Sequence, residues 1–332
     1  MTDSRSVLFI IAQPGAAAYF APLWRHWSRS PDAPDWRVAI DPISRRHAAD
    51  SDIDAARIID LEEVSEESAG GLMDRCNAGV VVTSTSFHVL ERACLQLALA
   101  TGRRGMQLID AHYSYRHRIV DTNGPGLMPD DIIVPDAIAE AEAEADGLPA
   151  DRLRPLGYPL WEGVAPAPPA DERRALFVSQ PIESDHGCEL GYTQHRVLAL
   201  ALEAGVGPDG VFDEILLARH PRERGDALPD HSGVRPVASA NEGMREAGTI
   251  LGMYSSFLIE AVLAGRRTIS LQPGAIGPDM CVLSRQRIIP LIEDAAGLRQ
   301  AMAAPMPDTR VFRQAYAGSL ERLDAFMRRA LA

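Results

Sequence analysis

Short apolar runs alternate with amphipathic stretches from residue 7 to about residue 156, break at a proline-rich segment, and then begin to alternate again. In the first half the runs are Val7 to Ala12, Trp36 to Ile40, Gly79 to Val82, Met106 to Ile109 and Ile132 to Val134. In the second half they are Ala175 to Ser179, Glu214 to Leu217, Thr249 to Met253 and Thr268 to Leu271. Runs this short, separated by helical stretches, predict βαβ units and parallel sheets. The segment 157–172 is the most proline-rich of the chain. Proline continues neither a helix nor a central strand, so this segment is expected to link two domains. The resulting division is an N-terminal domain at 1–156, a linker at 157–172, a second domain at 173–307 and a C-terminal helix at 308–332. Phe312, Tyr316, Leu320, Leu323 and Phe326, at spacings of three and four, predict one long amphipathic helix there. A length of 332 residues also exceeds what most single cores hold.

Two Rossmann-like α/β domains facing a cleft, with a C-terminal helix, suggest the glycosyltransferase-B (GT-B) architecture. That architecture serves glycosyltransferases, nucleotide-sugar epimerases and hydrolases alike, so the fold does not choose among them. Composition narrows the field by exclusion. The net charge of -13 argues against nucleic acid as the main partner, because a phosphate backbone needs a basic footprint. Cys76, Cys94, Cys188 and Cys281 are scattered without a CxxC pair and read as reduced thiols. No His, Asp or Glu cluster has metal-ligand spacing and no GxxxxGK[ST] loop occurs, so metal-independent chemistry without a cofactor is expected. No signal-peptide pattern and no membrane-length apolar stretch are present, which implies a cytoplasmic setting.

Three strand ends in the second half concentrate chemistry at the ligand edge of a parallel sheet. After Val178 come Ser179, Gln180, Pro181, Ile182, Glu183, Ser184, Asp185, His186 and Gly187. On a loop, Asp185 or Glu183 suits the base that takes a proton from an attacking hydroxyl, and Gly187 permits an unusual backbone angle. The same pattern also describes an acidic surface loop. After Leu217 come Arg219, His220, Pro221 and Arg222. An imidazole among arginines can donate to a nucleotide phosphate, or protonate it as it leaves. The plain alternative is a structural histidine, with the arginines paired to Glu223 and Asp226. After Met253 come Tyr254, Ser255 and Ser256, which suit a helix cap or a phosphate site at a helix start. In the first half, Gln13 and Gly15 end one strand, Ser84 ends another within Thr83 to Ser86, and His112 follows a third within Asp110 to Arg118. These form a weaker acceptor-side set that ordinary polar turns would also explain.

Taken in order, Ser-Gln-Pro-Ile-Glu-Ser-Asp-His-Gly, Arg-His-Pro-Arg-Glu and Gly-Met-Tyr-Ser-Ser resemble the motifs of bacterial sialyltransferases of GT-B fold, especially the lipooligosaccharide sialyltransferase and polysialyltransferase-like families. The resemblance covers roughly residues 175–275. It implies an inverting transfer of a sialic acid, or a related nonulosonic or Kdo-type sugar, from a CMP-activated donor to a glycan, lipid-linked or protein acceptor. It implies Asp185 as general base, with Glu183 as the alternative carboxylate, and His220 acting on the CMP phosphate. Ser255 and Ser256 would hold that phosphate, with Gln180, Gly187, Arg219 and Pro221 around it. His186 departs from the pattern, standing where the families carry a second acid. Gln180-Pro181 also fits capsule Kdo transferases. A lipid-linked acceptor would add peripheral contact with the inner membrane, against which the acidic charge works. Two other classes stay open: a UDP-sugar 2-epimerase or hydrolase, and a nucleotide-sugar-binding member without catalysis.

Overall fold

The computed structural model describes the chain apart from residues 1–4, 49–52, 64–67, 86–87, 122–125, 207–209, 221, 224–232 and 307, and the side chains of residues 47, 63, 310 and 311. Ser86, Pro221 and Asp226, named above, lie outside the described residues. Two compact units are present: Met1–Gly163 with Gln314–Ala332, and Val164–Arg313.

Unit 1 is built on a parallel sheet of β1 (Ser6–Ile11), β2 (Trp36–Ile40), β3 (Ile58–Asp60), β4 (Ala78–Thr83), β5 (Arg104–Leu108), β6 (Asp131–Val134) and β7 (Leu153–Pro155), in the order β3-β2-β1-β4-β5-β6-β7. β1 and β4 are buried at every residue, as parallel strands covered on both faces must be. Phe9 of β1 meets Phe20 and Trp24 of the helix Pro14–Arg29 at ring separations of 5.0 and 5.4 Å. The strand order reverses between β1 and β4, which places the ligand crevice of this sheet beyond Ile11 and Thr83.

Unit 2 repeats the design with β8 (Asp171–Val178), β9 (Glu214–Ala218), β10 (Val234–Val237), β11 (Ala247–Gly252), β12 (Arg267–Leu271) and β13 (Leu291–Ile292), in the order β10-β9-β8-β11-β12-β13. All pairings are parallel. Here the order reverses between β8 and β11. One core gathers Phe177, Val197, Phe212, Leu217, Leu251 and Ile269.

One segment differs from expectation. The C-terminal stretch is two helices, Arg310–Gln314 and Ser319–Leu331, because Gly318 takes a left-handed φ of 73° that breaks the helical path. The second of these belongs to unit 1, where Leu323, Phe326 and Met327 are buried. The proline-rich segment 157–172 spans the point where the chain passes from unit 1 to unit 2. Its helix Pro159–Glu162 buries Trp161 in unit 1, against the rings of Tyr158 and Tyr316. Beyond Gly163, Ala167 donates to the Ala264 carbonyl and Arg266 to that of Pro168 in unit 2.

Candidate functional site

The crevice edge of unit 2 joins three strand ends through one polar network. Glu183 and Asp185, expected on a loop, lie on the short helix Ile182–His186, which Gly187 terminates at φ 56°. Both nitrogens of the Arg222 fork reach the Asp185 carboxylate, Nη1 to Oδ1 at 3.0 Å and Nη2 to Oδ2 at 2.6 Å. Glu183 turns away to His195, 3.2 Å distant. The His220 loop is pinned by a residue first read as an ion-pair partner of the arginines. Glu223 instead accepts from the His220 amide at 2.7 Å and from the Ser179 hydroxyl at 2.7 Å. Arg222 N donates to His220 Nδ1 at 3.2 Å, which assigns the ring proton of the neutral imidazole to Nε2. Arg219 is half-buried beside it.

Across the strand reversal, the Gln180 side-chain oxygen accepts from the Tyr254 amide at 3.0 Å, and the Tyr254 hydroxyl lies 3.1 Å from His186 Nε2. Ser255 and Ser256 follow directly. Ser255 Oγ accepts from the Phe257 amide at 3.3 Å, while Ser256 is exposed and makes no capping bond through its side chain. One helical turn on, and therefore on the same face as Ser256, stands Glu260. Its carboxyl is pushed up to about 7 by burial. Neither Tyr254 nor Glu260 was singled out from sequence. Glu260 did carry a signal, as the lone acid in the apolar run Phe257–Leu263.

In unit 1, Gln13 bridges the strand reversal by donating to the Thr85 carbonyl at 3.2 Å. Gly15 lacks the Cβ that would lie 1.9 Å from Asp110 Oδ2, so this carboxylate sits against the first turn of Pro14–Arg29. Arg118 reaches Asp110 and the Thr85 hydroxyl and lies over the Tyr113 ring. Ser84 and His112 are buried inside structural networks. The Ser84 hydroxyl donates to Glu91, which also accepts from the Ala12 amide at 2.8 Å. His112 Nε2 lies 2.9 Å from Asp136 Oδ2, which also accepts from the Tyr316 hydroxyl at 2.7 Å. Burial pushes the Asp136 carboxyl up, but the hydrogen bond and charge of His112, with the Ala139 and Tyr316 bonds, hold it below the usual range. Glu91→Ala would strand buried donors on both strands of the reversal, and it should cost unit 1 about 3 kcal/mol in denaturant unfolding. A cost below about 1 kcal/mol would show that Glu91 is not what closes this edge.

Among the described residues no three His, Cys, Asp or Glu side chains are arranged to hold a metal ion, and no helix is long and apolar enough to cross a membrane. No protein-family model and no curated protein sequence matches the chain. Solved structures do. A UDP-GlcNAc 2-epimerase from Neisseria meningitidis bound to UDP-GlcNAc matches with a TM-score of 0.64 at 10% identity, over 98% of this chain and 100% of that one. The Staphylococcus aureus MnaA–UDP structure matches with a TM-score of 0.64 at 12% identity, over 98% and 97%. The lipopolysaccharide outer core galactosyltransferase WaaB matches with a TM-score of 0.58 at 12% identity, over 97% and 99%.

Proposed function

We propose that this chain, whose two Rossmann-like domains share the GT-B fold of those neighbours, is an inverting glycosyltransferase that binds a nucleotide-activated sugar at the crevice edge of unit 2. The observation that carries the reading is the network joining Ser179, Gln180, His220, Arg222, Glu223 and Tyr254 across the β8–β11 reversal. It ends in the exposed hydroxyl of Ser256 and in an imidazole whose proton is on Nε2. That proton and the serine hydroxyls suit a leaving phosphate. The Glu260 carboxylate suits a pair of ribose hydroxyls, the role an acidic residue plays in nucleotide crevices of this type.

In the transfer, the acceptor oxygen bonds to the anomeric carbon on the face opposite the nucleotide. The bond from that carbon to the phosphate oxygen breaks, and its electron pair leaves with the nucleotide. His220 Nε2–H meets the charge gathering on that oxygen. The resemblance of the His-Pro and Ser-Ser stretches to those of bacterial sialyltransferases supports a CMP-activated acidic keto-sugar as donor. A second reading, a UDP-sugar 2-epimerase or hydrolase, draws on the end-to-end fold match to epimerases.

Thermal-shift titration with CMP, CDP, UMP, UDP, GDP and ADP separates these readings. A ligand specific to the native state raises its stability by about 2.7 kcal/mol at a hundredfold excess over Kd. Stabilisation by CMP is expected, and His220→Ala should weaken it about 10- to 100-fold, as loss of a hydrogen bond to a charged group does. Selective stabilisation by UDP would favour the second reading, and no shift with any nucleotide would remove both.

A further inference from the structure

Building on glycosyl transfer at this edge, we infer that His186, rather than Asp185, takes the proton from the attacking hydroxyl, with Tyr254 as its positioning residue. His186 is the last residue of the helix after β8, and Tyr254 follows β11. The two side chains therefore meet over the strand reversal, where a parallel sheet receives its ligand.

The carboxylates beside His186 are already engaged. Each Asp185 oxygen faces one nitrogen of Arg222 in a bidentate fork, the geometry that commits carboxylate lone pairs most fully. Glu183 is paired with His195 of the helix Gln194–Gly205, and its amide donates to Gln194.

His186 is differently placed. Its Nε2 is 3.1 Å from the Tyr254 oxygen, with the two rings edge-on at 72°. Tyr254 is itself fixed by the Gln180 bond to its amide. When Nε2–H donates to the tyrosine oxygen, the lone pair of the neutral ring stands on Nδ1. Nδ1 makes no hydrogen bond with the described residues. His186 is half-buried, and the space beside the neighbouring Gly187 is open, since a Cβ there would meet nothing within 4 Å.

The step balances without a further reactant. The acceptor O–H proton passes to Nδ1 as the oxygen bonds to the anomeric carbon. The leaving nucleotide carries off the electron pair, and the imidazolium later returns its proton to solvent. The charged and titratable groups flanking His186 are Glu183 and Asp185 on its own helix and Cys188 and Glu189 just beyond it, with Tyr254 in contact across the reversal and with Arg222 and His195 held by Asp185 and Glu183.

The test uses the full chain with CMP-N-acetylneuraminate and UDP-N-acetylglucosamine as donors and water as the attacking hydroxyl, following donor hydrolysis, while calorimetry measures CMP and UDP binding. His186→Ala and His186→Gln should lower kcat by about 10²- to 10⁴-fold, the range for losing a positioned base, with nucleotide affinity unchanged. Gln can still reach Tyr254 but cannot accept the proton, so the pair separates lost chemistry from lost contact. Added imidazole should restore turnover to His186→Ala, and the acid limb of the wild-type pH profile should vanish in His186→Gln. Asp185→Asn should keep kcat within about tenfold. Tyr254→Phe should lower kcat and displace the acid limb while leaving nucleotide affinity intact. Full turnover in either His186 variant would overturn the assignment, as would an Asp185→Asn loss as deep as theirs. A wild type that binds neither nucleotide would instead bring down the reading on which the assignment rests.

Discussion

Replacing Gly157 with alanine is expected to destabilise unit 1 by about 2–5 kcal/mol. Two effects add. Gly157 has a φ of 90°, where an L-residue with a Cβ is strained by about 1–2 kcal/mol. The new methyl would also lie 2.1 Å from Ser319 Oγ and 2.6 Å from Arg322 Nη2, and overpacking of that kind costs about 1–3 kcal/mol. Neither neighbour can yield freely. Ser319 Oγ accepts from the Tyr158 amide at 3.1 Å and donates to the Tyr316 carbonyl at 2.5 Å. Arg322 Nε donates to the Leu156 carbonyl at 3.3 Å. The close approach at Gly157 is thus where the chain leaving β7 meets the returning C-terminal helix. Gly102→Ala provides the control within unit 1, because φ there is 70° but the space beside it is open, so only the backbone cost applies. Urea unfolding followed by tryptophan fluorescence reads both variants. Equal losses would mean that the contact with Ser319 and Arg322 contributes nothing.

The same contact explains what the sequence could not reveal. The central strands of both units were legible because strands buried on two faces read as unbroken apolar runs, as in Val7 to Ile11 and Ala175 to Val178. β3, β7, β10 and β13 went unread, and each is the outermost strand of its sheet. An edge strand is half-exposed and short, so Ile58–Asp60 and Leu291–Ile292 show no run to find. The return of the C-terminal helix to unit 1 is a non-local pairing, written in Gly157, Tyr158 and Ser319 and not in any local period. At the candidate site, the three loops were found from residue type at strand ends. The partners were not, because Glu223 bonding back to His220 and Ser179, or Arg222 reaching Asp185 from 37 residues away, follows from which strands are neighbours. Ser84 and His112 looked like edge groups by position, yet Glu91 and Asp136 draw them into buried networks.

Glu260→Gln should stabilise the protein at pH 8 and leave it unchanged at pH 4. Burial raises the folded-state pKa from 4.5 to about 7, so between those values the native state holds a proton that the unfolded chain has released. Stability therefore falls as pH rises through that window, at up to about 1.4 kcal/mol per unit, and the penalty is complete above about pH 7. The glutamine side chain has the same shape and never ionises, so the gain should reach about 3 kcal/mol at pH 8. For a unit of this size that amounts to roughly 6–12 °C in Tm. A gain that is the same at pH 4 and pH 8 would show that desolvation of this carboxylate is not the cause. The ligand side of the comparison bears on function. A carboxylate kept where it weakens the fold is explained if a nucleoside supplies the hydrogen bonds that the protein does not. Glu260→Gln should then lose about tenfold or more in nucleotide affinity while gaining stability. If affinity were unchanged, Glu260 would lie outside the nucleotide contact, and the site would have to stand on His220 and the serines alone.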